Sequence, residues 1–229
     1  MNATGDVWAV VPAKELAQAK RRLAGRLDPK QRRAVAAAML EDVLRALAEV
    51  PRLAGIAVVT VDPVASALAA RFGARVLADG ARTGHTRAVT AAARRLAAEG
   101  KGTILTIPGD VPLASPVEIE TVIEAHRPAP AFTIVPAHDE KGSNAIMCSP
   151  PCAVPLRFGD DSYVPHLQAA RRCCIEPTIV RLPGLALDVD NAGDLVAFCA
   201  AASARRTRTF GCLRDAGLMQ DIRALEQNA

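Results

Sequence analysis

Three aspartates lie where extended, apolar stretches of the chain run out. In "TILTIPGDVPL", residues 103 to 113, Thr103 to Ile107 suit a buried strand, and Pro108-Gly109 then turns the chain to present Asp110. In "LALDVDNAGDL", residues 185 to 195, Asp188 and Asp190 follow a second strand-like run. Their two-residue spacing points both carboxylates to one face if the segment stays extended. Such acids can hold a hard divalent cation, because Mg²⁺ prefers a few carboxylates together with water and substrate phosphates. The competing reading is that Asp190 or Asn191 caps the next helix, and spacing alone leaves both open.

A basic loop complements these acids. "VPAKELAQAKRRLAGRL", residues 11 to 27, combines a strand end with Lys14, Lys20 and Arg22. Lysine neutralises phosphate as a point charge, and arginine clamps phosphate oxygens with its planar fork. The loop has neither G-x-x-x-x-G-K-[ST] nor G-x-G-x-x-G, which counts against an ATPase and against a nicotinamide dehydrogenase. Two further segments, "KGSNAIM" (141 to 147) and "FGDDSYVPHLQAA" (158 to 170), set glycine and serine beside element starts. Gly142 and Gly159 allow close backbone approach to a ligand. Ser143 and Ser162 offer hydroxyls, and the amides after Ser162 could receive an anion.

These groups need a scaffold, and the sequence supplies alternating strand and helix signals. Strands are expected at Val7 to Val11, Ile56 to Val61, Arg75 to Leu77, Thr103 to Ile107, Phe132 to Val135, Ala145 to Cys148, Ile179-Val180 and Leu185 to Val189. Asp28-Pro29-Lys30-Gln31 reads as a capping box that opens a helix, with Val35, Met39, Val43, Leu47 and Val50 as its apolar stripe. Asp62-Pro63 starts a helix over Ala65 to Phe72, closed by Gly73, and Ser115-Pro116-Val117-Glu118 opens another towards His126. Further helices are expected over Ala88 to Ala98, Pro165 to Cys173, Ala192 to Ala204 and Leu213 to Leu225. Near-continuous apolar strands alternating with helices predict an α/β fold, a mostly parallel sheet flanked by helices and Rossmann-like in plan. Ligands then bind beyond the carboxyl ends of the strands, where Asp110 falls. The expected division is 1–204 as one domain and 205–229 as a helical tail, packing on the body or on a second copy as a homodimer.

Composition narrows the classes. With 229 residues, 50% hydrophobic and only 3% aromatic, the core must be aliphatic. The net charge of +4 is modest, and no aromatics interleave the basic residues, so nucleic acid is not expected as a partner. Arg205, Arg206 and Arg208 read as a solvated face. No C-x-x-C pair occurs among the six cysteines, and free, mostly buried thiols in a reducing cytosol are expected. No apolar run approaches membrane-spanning length, so the expectation is a cytoplasmic protein without a membrane partner.

Taken in order, "WAVVPAKELAQAKRRLA", "PGDVPL", "GSNAIM", "FGDDSYVPHLQAA" and "LDVDNAGDL" resemble the guanylyltransferases of coenzyme F-420 biosynthesis, over residues 7 to about 200. That group, named for 2-phospho-L-lactate guanylyltransferase, includes phosphoenolpyruvate and 3-phospho-D-glycerate enzymes. The resemblance implies a nucleotidyltransferase fold of the nucleotide-diphospho-sugar transferase type, similar to the molybdenum-cofactor guanylyltransferase. It implies transfer of GMP from GTP to a phosphorylated three-carbon acid, with release of pyrophosphate and Mg²⁺ as cofactor. By position, Asp110, Asp188 and Asp190 would handle the metal, and Lys14, Lys20 and Arg22 would line the nucleotide phosphates. Asp110, Lys20 and Arg22 would carry catalysis. Ser143, Gly159 and Ser162 would contact the acceptor. His85 and Thr86 fall in a segment expected near the base, where their donors suit guanine. The alternatives are a molybdopterin- or sugar-phosphate nucleotidyltransferase and, in another class, a non-catalytic nucleotide-binding protein.

Overall fold

The computed structural model describes residues 6–159, 161–220 and 222. Its seven strands form one sheet: β1 (Val7–Pro12), β2 (Leu53–Val59), β3 (Arg75–Leu77), β4 (Thr103–Thr106), β5 (Ala131–Pro136), β6 (Ser143–Ser149) and β7 (Thr178–Ile179). The spatial order is β3-β2-β1-β4-β6-β5-β7. Among these strands β6 alone runs against its neighbours, because a short connection returns the chain from β5 as a hairpin. The helices are α1 (Pro29–Ala48), α2 (Pro63–Arg71), α3 (His85–Ala98), α4 (Pro116–Ala125), α5 (Tyr163–Arg172), α6 (Pro183–Ala186), α7 (Ala192–Ala200) and α8 (Arg208–Asp215).

Two-residue alternation along the strands sorts the core into two layers. Ala9, Val11 and Leu105 face one way, against Leu40 and Val43 of α1, Leu68 of α2 and Ile119 of α4. Val10, Ile104 and Ile146 face the other, against Ala92 and Leu96 of α3 and Ala170 of α5. At ~25 cal/mol per Å² of apolar surface removed from water, this two-sided burial is the main force holding the sheet.

The helix starts follow local chemistry. Gln31 donates its amide to Asp28 Oδ1 at 2.8 Å, and the Asp28 amide donates back to Gln31 Oε1 at 2.9 Å, so the expected capping box closes. The stripe from Val35 to Val50 is buried as its spacing requires. Asp62 caps α2 through Val64 and Ala65, and its other oxygen accepts the Leu16 amide at 3.0 Å. One carboxylate thus starts a helix and pins the basic loop.

Several expectations are corrected. Ser115 caps α4 through the Glu118 amide at 3.2 Å, but the Glu118 carboxylate turns away to receive Gly184 and Leu185 at 2.8 and 3.0 Å. The helix expected from Ala88 begins at His85, and the helix expected over Ala192 to Ala204 stops at Ala200 and continues as a 3-10 turn over Ala202–Arg206. Leu185 to Val189 is not a strand. Pro183 starts the single turn of α6, and residues 187–190 then run extended without a sheet partner. Of the six cysteines only Cys148 is buried, while Cys152, Cys173 and Cys174 are exposed.

The expected boundary at 204/205 falls inside that 3-10 turn. Beyond it the buried Asp42 of α1 accepts the amides of Arg208 and Thr209 and the Thr209 hydroxyl, capping α8. Leu213, Leu218 and Ile222 then join Leu23, Leu27 and Met39 in a third apolar cluster, so this segment packs on the body. The helix expected from Leu213 to Leu225 is broken after Asp215, and residues 221 and 223 to 225 of it lie outside the described residues. Among the described residues no helix is long and apolar enough to cross a membrane.

Candidate functional site

The site lies where β1 and β4 end. After β4, the turn at Pro108-Gly109 carries Asp110, and the Gly109 hydrogen faces Leu40, whose Cδ1 would stand 3.1 Å from an added Cβ. After β1, the basic loop folds back across the same edge. Lys20 holds φ at +53°, a left-handed conformation that costs a non-glycine residue on the order of 1 kcal/mol or more. The strain delivers its ammonium to a point between two acids. Lys20 Nζ lies 2.7 Å from Asp110 Oδ2 and 2.8 Å from Asp190 Oδ1.

The Lys20 side chain is only 5% exposed, against 32% for Asp110 and 44% for Asp190. Burial pushes the Lys20 ammonium down, but the charges and hydrogen bonds of Asp110 and Asp190 outweigh it and hold its pKa above the ordinary lysine value. Burial pushes Asp110 up, and the Lys20 charge and hydrogen bond override that, keeping its carboxyl below the ordinary range. Both partners are therefore ionised at neutral pH.

Asp188 and Asp190 arrive on the extended stretch after α6. Leu185, Leu187 and Val189 are buried, and the two aspartates between and after them face the cavity. The same-face expectation holds although the strand does not. The Val189 amide donates to the Asp110 carbonyl at 3.0 Å, which joins the two acidic segments through backbone. Asp188 accepts the Asn144 side-chain amide at 3.0 Å. Burial first, then the Asp110 and Asp190 charges, raise its carboxyl above the ordinary value. Asn191, not Asp190, caps α7, in a reciprocal box with Asp194.

Two cavities meet at these acids. The first, of about 200 Å³, lies beyond β1 among Ala13, Leu16, Gln18, Lys20 and Ala88. The second, of about 450 Å³, reaches Ser143, Asn144, Gly159 and Ser162. Lys14, Gly84, His85, Asp110 and Asp190 line both. Lys14 is exposed. Arg22 is 64% exposed, 4.0 Å from Asp190, and lines an adjoining recess with His138, Asp188 and Asp194. Arg22 and Lys14 thus line different recesses that share Asp190.

His85 opens α3 after Gly84, whose φ of +97° favours glycine. Its ring stacks on Phe158 at 4.1 Å, and among the described residues its Nε2 has no hydrogen-bond partner. Burial lowers its pKa to about 4, with Asp110 pulling up and Lys14 pushing down, so it is neutral at pH 7. Thr86 also lines the second cavity, but its hydroxyl accepts the Phe158 amide at 2.9 Å. Two amides at the start of α5 are already engaged. Those of Ser162 and Tyr163 donate to the Lys141 carbonyl at 2.9 and 2.8 Å.

Sequence reasoning missed three groups. Gln18 lines the first cavity, Asn144 orients Asp188, and His166 lies beneath Ser143. Asn144 and His166 stand inside segments already singled out, and their proximity to Ser143 and Ser162 was the available signal.

The donor chemistry fits a divalent cation without a finished cage. Among the described residues no three ligand-type side chains converge closely enough to hold an ion. Three hard carboxylates, Asp110, Asp188 and Asp190, nevertheless line one cavity. Mg²⁺ commonly binds through one or two carboxylates with water and substrate phosphates, which suits such a set.

Residues 7–223 match the family described as "Guanylyl transferase CofC like". The phosphoenolpyruvate guanylyltransferase of Rubrobacter xylanophilus is 37% identical over 193 residues, covering 83% of this chain and 92% of that one. The 3-phospho-D-glycerate guanylyltransferase of Colwellia psychrerythraea is 33% identical over 186 residues, covering 81% and 88%. Among solved structures, a nucleotide-diphospho-sugar transferase assignment from Desulfovibrio desulfuricans superposes with a TM-score of 0.75 at 18% identity, covering 96% of this chain and 99% of that chain. A 4-diphosphocytidyl-2C-methyl-D-erythritol synthase gives 0.59 at 14% identity, covering 85% and 97%. These two likenesses concern the fold.

Proposed function

Since the chain belongs to the family of CofC-like guanylyl transferases, we propose that its two cavities hold GTP and a phosphorylated three-carbon carboxylic acid, and that Lys20, Asp110 and the Asp188/Asp190 segment join them. An acceptor phosphate oxygen attacks the α-phosphorus of GTP. The new P–O bond forms as the bond to the bridging oxygen breaks, and pyrophosphate leaves with that electron pair. The acceptor oxygen is already ionised at neutral pH, so no general base is needed. Catalysis reduces to positioning and charge neutralisation.

The observation that carries this reading is the Lys20 bridge between Asp110 and Asp190, two acids that line both the first cavity and the one reaching Ser143 and Ser162. Lys20 supplies a buried positive charge where the triphosphate must pass, and Lys14 adds an exposed one. Ser143, Gly159 and Ser162 line the acceptor side. Asp110, Asp188 and Asp190 would hold Mg²⁺, which when bound neutralises triphosphate charge. The first cavity takes the base, with backbone groups after Val11, the Gln18 amide and neutral His85 as polar partners for guanine. A base that mismatches them leaves buried groups unpaired, and GTP is preferred over ATP by about a hundredfold. The product is the guanylylated acid used in coenzyme F-420 biosynthesis.

The test is pyrophosphate release from each nucleoside triphosphate with phosphoenolpyruvate, 3-phospho-D-glycerate and 2-phospho-L-lactate, with and without Mg²⁺. Turnover with GTP and at least one acid is expected. Equal turnover of GTP and ATP would remove the guanine assignment, and inactivity of folded, Mg²⁺-supplied protein with every pair would remove the transferase reading.

A further inference from the structure

Beneath the acceptor cavity three side chains form a directed chain. Ser143, Ser162 and His166 are all buried, with His166 at 0% exposure. The Arg157 backbone amide donates to His166 Nε2 at 2.9 Å. An amide N–H can only donate, so Nε2 carries the lone pair and the proton of the neutral ring is on Nδ1. Nδ1 lies 3.0 Å from Ser143 Oγ and donates to it. The Ser162 hydroxyl donates to the same oxygen at 3.2 Å.

A serine oxygen has two lone pairs and one hydrogen. Both acceptor positions of Ser143 Oγ are filled from below, which leaves its O–H for the cavity it lines. We infer that His166 is a positioning residue that makes Ser143 an obligate hydrogen-bond donor to an anionic oxygen of the acceptor. Resting on the acceptor assignment above, this names the chemistry of that subsite. A phosphate or carboxylate oxygen accepts the bond, and an ammonium group meets a hydrogen instead of a lone pair.

The geometry also explains why an imidazole stands here. The two ring nitrogens must serve opposite roles at once, accepting from Arg157 and donating to Ser143. A side-chain amide reproduces one role or the other according to its length. In His166→Asn the amide nitrogen falls near the place of Nδ1 and still donates to Ser143. In His166→Gln the longer amide reaches the place of Nε2, serves Arg157 and loses Ser143.

The experiment has two arms. In the free protein, ring ¹⁵N–¹H correlation spectra should show His166 with Nδ1 protonated and Nε2 bare, and an Nε2–H tautomer would overturn the inference. In steady-state assays with GTP and phosphoenolpyruvate, His166→Gln should raise the phosphoenolpyruvate KM about tenfold, for one charge-assisted hydrogen bond lost, and leave the GTP KM unchanged. His166→Asn should keep the acceptor KM within about threefold of the parent. Equal impairment of both variants, or parallel shifts of both KM values, would overturn the positioning role. Should the ring variants not fold, the ring tautomer of the parent protein decides alone, and an Nε2–H ring overturns the inference. The spectroscopic arm needs no substrate, so the tautomer is judged even if no phospho-acid reacts and the acceptor assignment itself falls.

Discussion

The backbone amide of Val189 donates to the carbonyl of Asp110 at 3.0 Å, so the two acid-bearing segments are joined by main chain as well as by the Lys20 bridge between their carboxylates. Side-chain chemistry at the site can therefore change without parting the segments. Asp110→Asn should keep the fold, with a thermal midpoint within a few degrees of the parent, and lower transfer by at least about a hundredfold. A Mg²⁺ titration of pyrophosphate release checks it, and near-full activity at limiting Mg²⁺ would remove Asp110 from the mechanism.

Lys20 is held in a strained conformation with its charge between two acids. Lys20→Met preserves the stem and removes the charge, leaving Asp110 and Asp190 to repel each other and the triphosphate. The value of kcat/KM for GTP should fall by at least about a hundredfold. Lys20→Arg should not rescue it, because a planar guanidinium does not fit a point shared at 2.7 and 2.8 Å. Recovery to within a few fold of the parent would show that charge alone suffices.

Glu118 receives the amides of Gly184 and Leu185 and so anchors the turn that leads into Asp188. Glu118→Gln sets an NH₂ against one of those donors. The expected cost is about 1–2 kcal/mol of stability, with kcat lowered about tenfold as the acidic stretch loosens. Denaturant unfolding and steady-state kinetics on one preparation separate the two effects, and unchanged kcat would confine Glu118 to a structural role.

His126 lies buried between the Thr133 and Ser149 hydroxyls at 2.9 and 2.7 Å. Burial lowers its pKa from 6.5 to about 4. The unfolded chain therefore binds the extra proton first, and stability rises with pH across that window. It is complete above about 6.5 and is lost as pH falls towards about 4, by up to ~3 kcal/mol for this group. Thermal midpoints measured between these limits should fall with pH in the parent and fall less steeply in His126→Gln. Parallel slopes would remove His126 as a source.

Sequence reading succeeded where local chemistry decides and failed where distant segments do. Asp28 and Asp62 announce helix starts, and the stripe from Val35 to Val50 announces a buried face, because each signal is complete within a few residues. The turn that presents Asp110 was equally local. The stretch from Leu185 to Val189 misled because its alternation is real but reports burial, with Leu187 and Val189 packed among residues of α1, α7 and α8, not pairing within the sheet. Lys20 could be placed near phosphate, but its bridge needs partners 90 and 170 residues away. His166 gave no signal of its own, since the amide that fixes its tautomer belongs to a loop before α5.

The reversal of β6 has a consequence for how such a protein can diversify. Ser143 and Asn144 open a strand that begins at the edge where β1 and β4 end, so the 137–142 connection leaves and re-enters the sheet on the same side. Changes of length or sequence there leave the pairing of β1 with β2 and β4 untouched. The hairpin can thus vary as an exchangeable cassette while the first half of the sheet keeps its register.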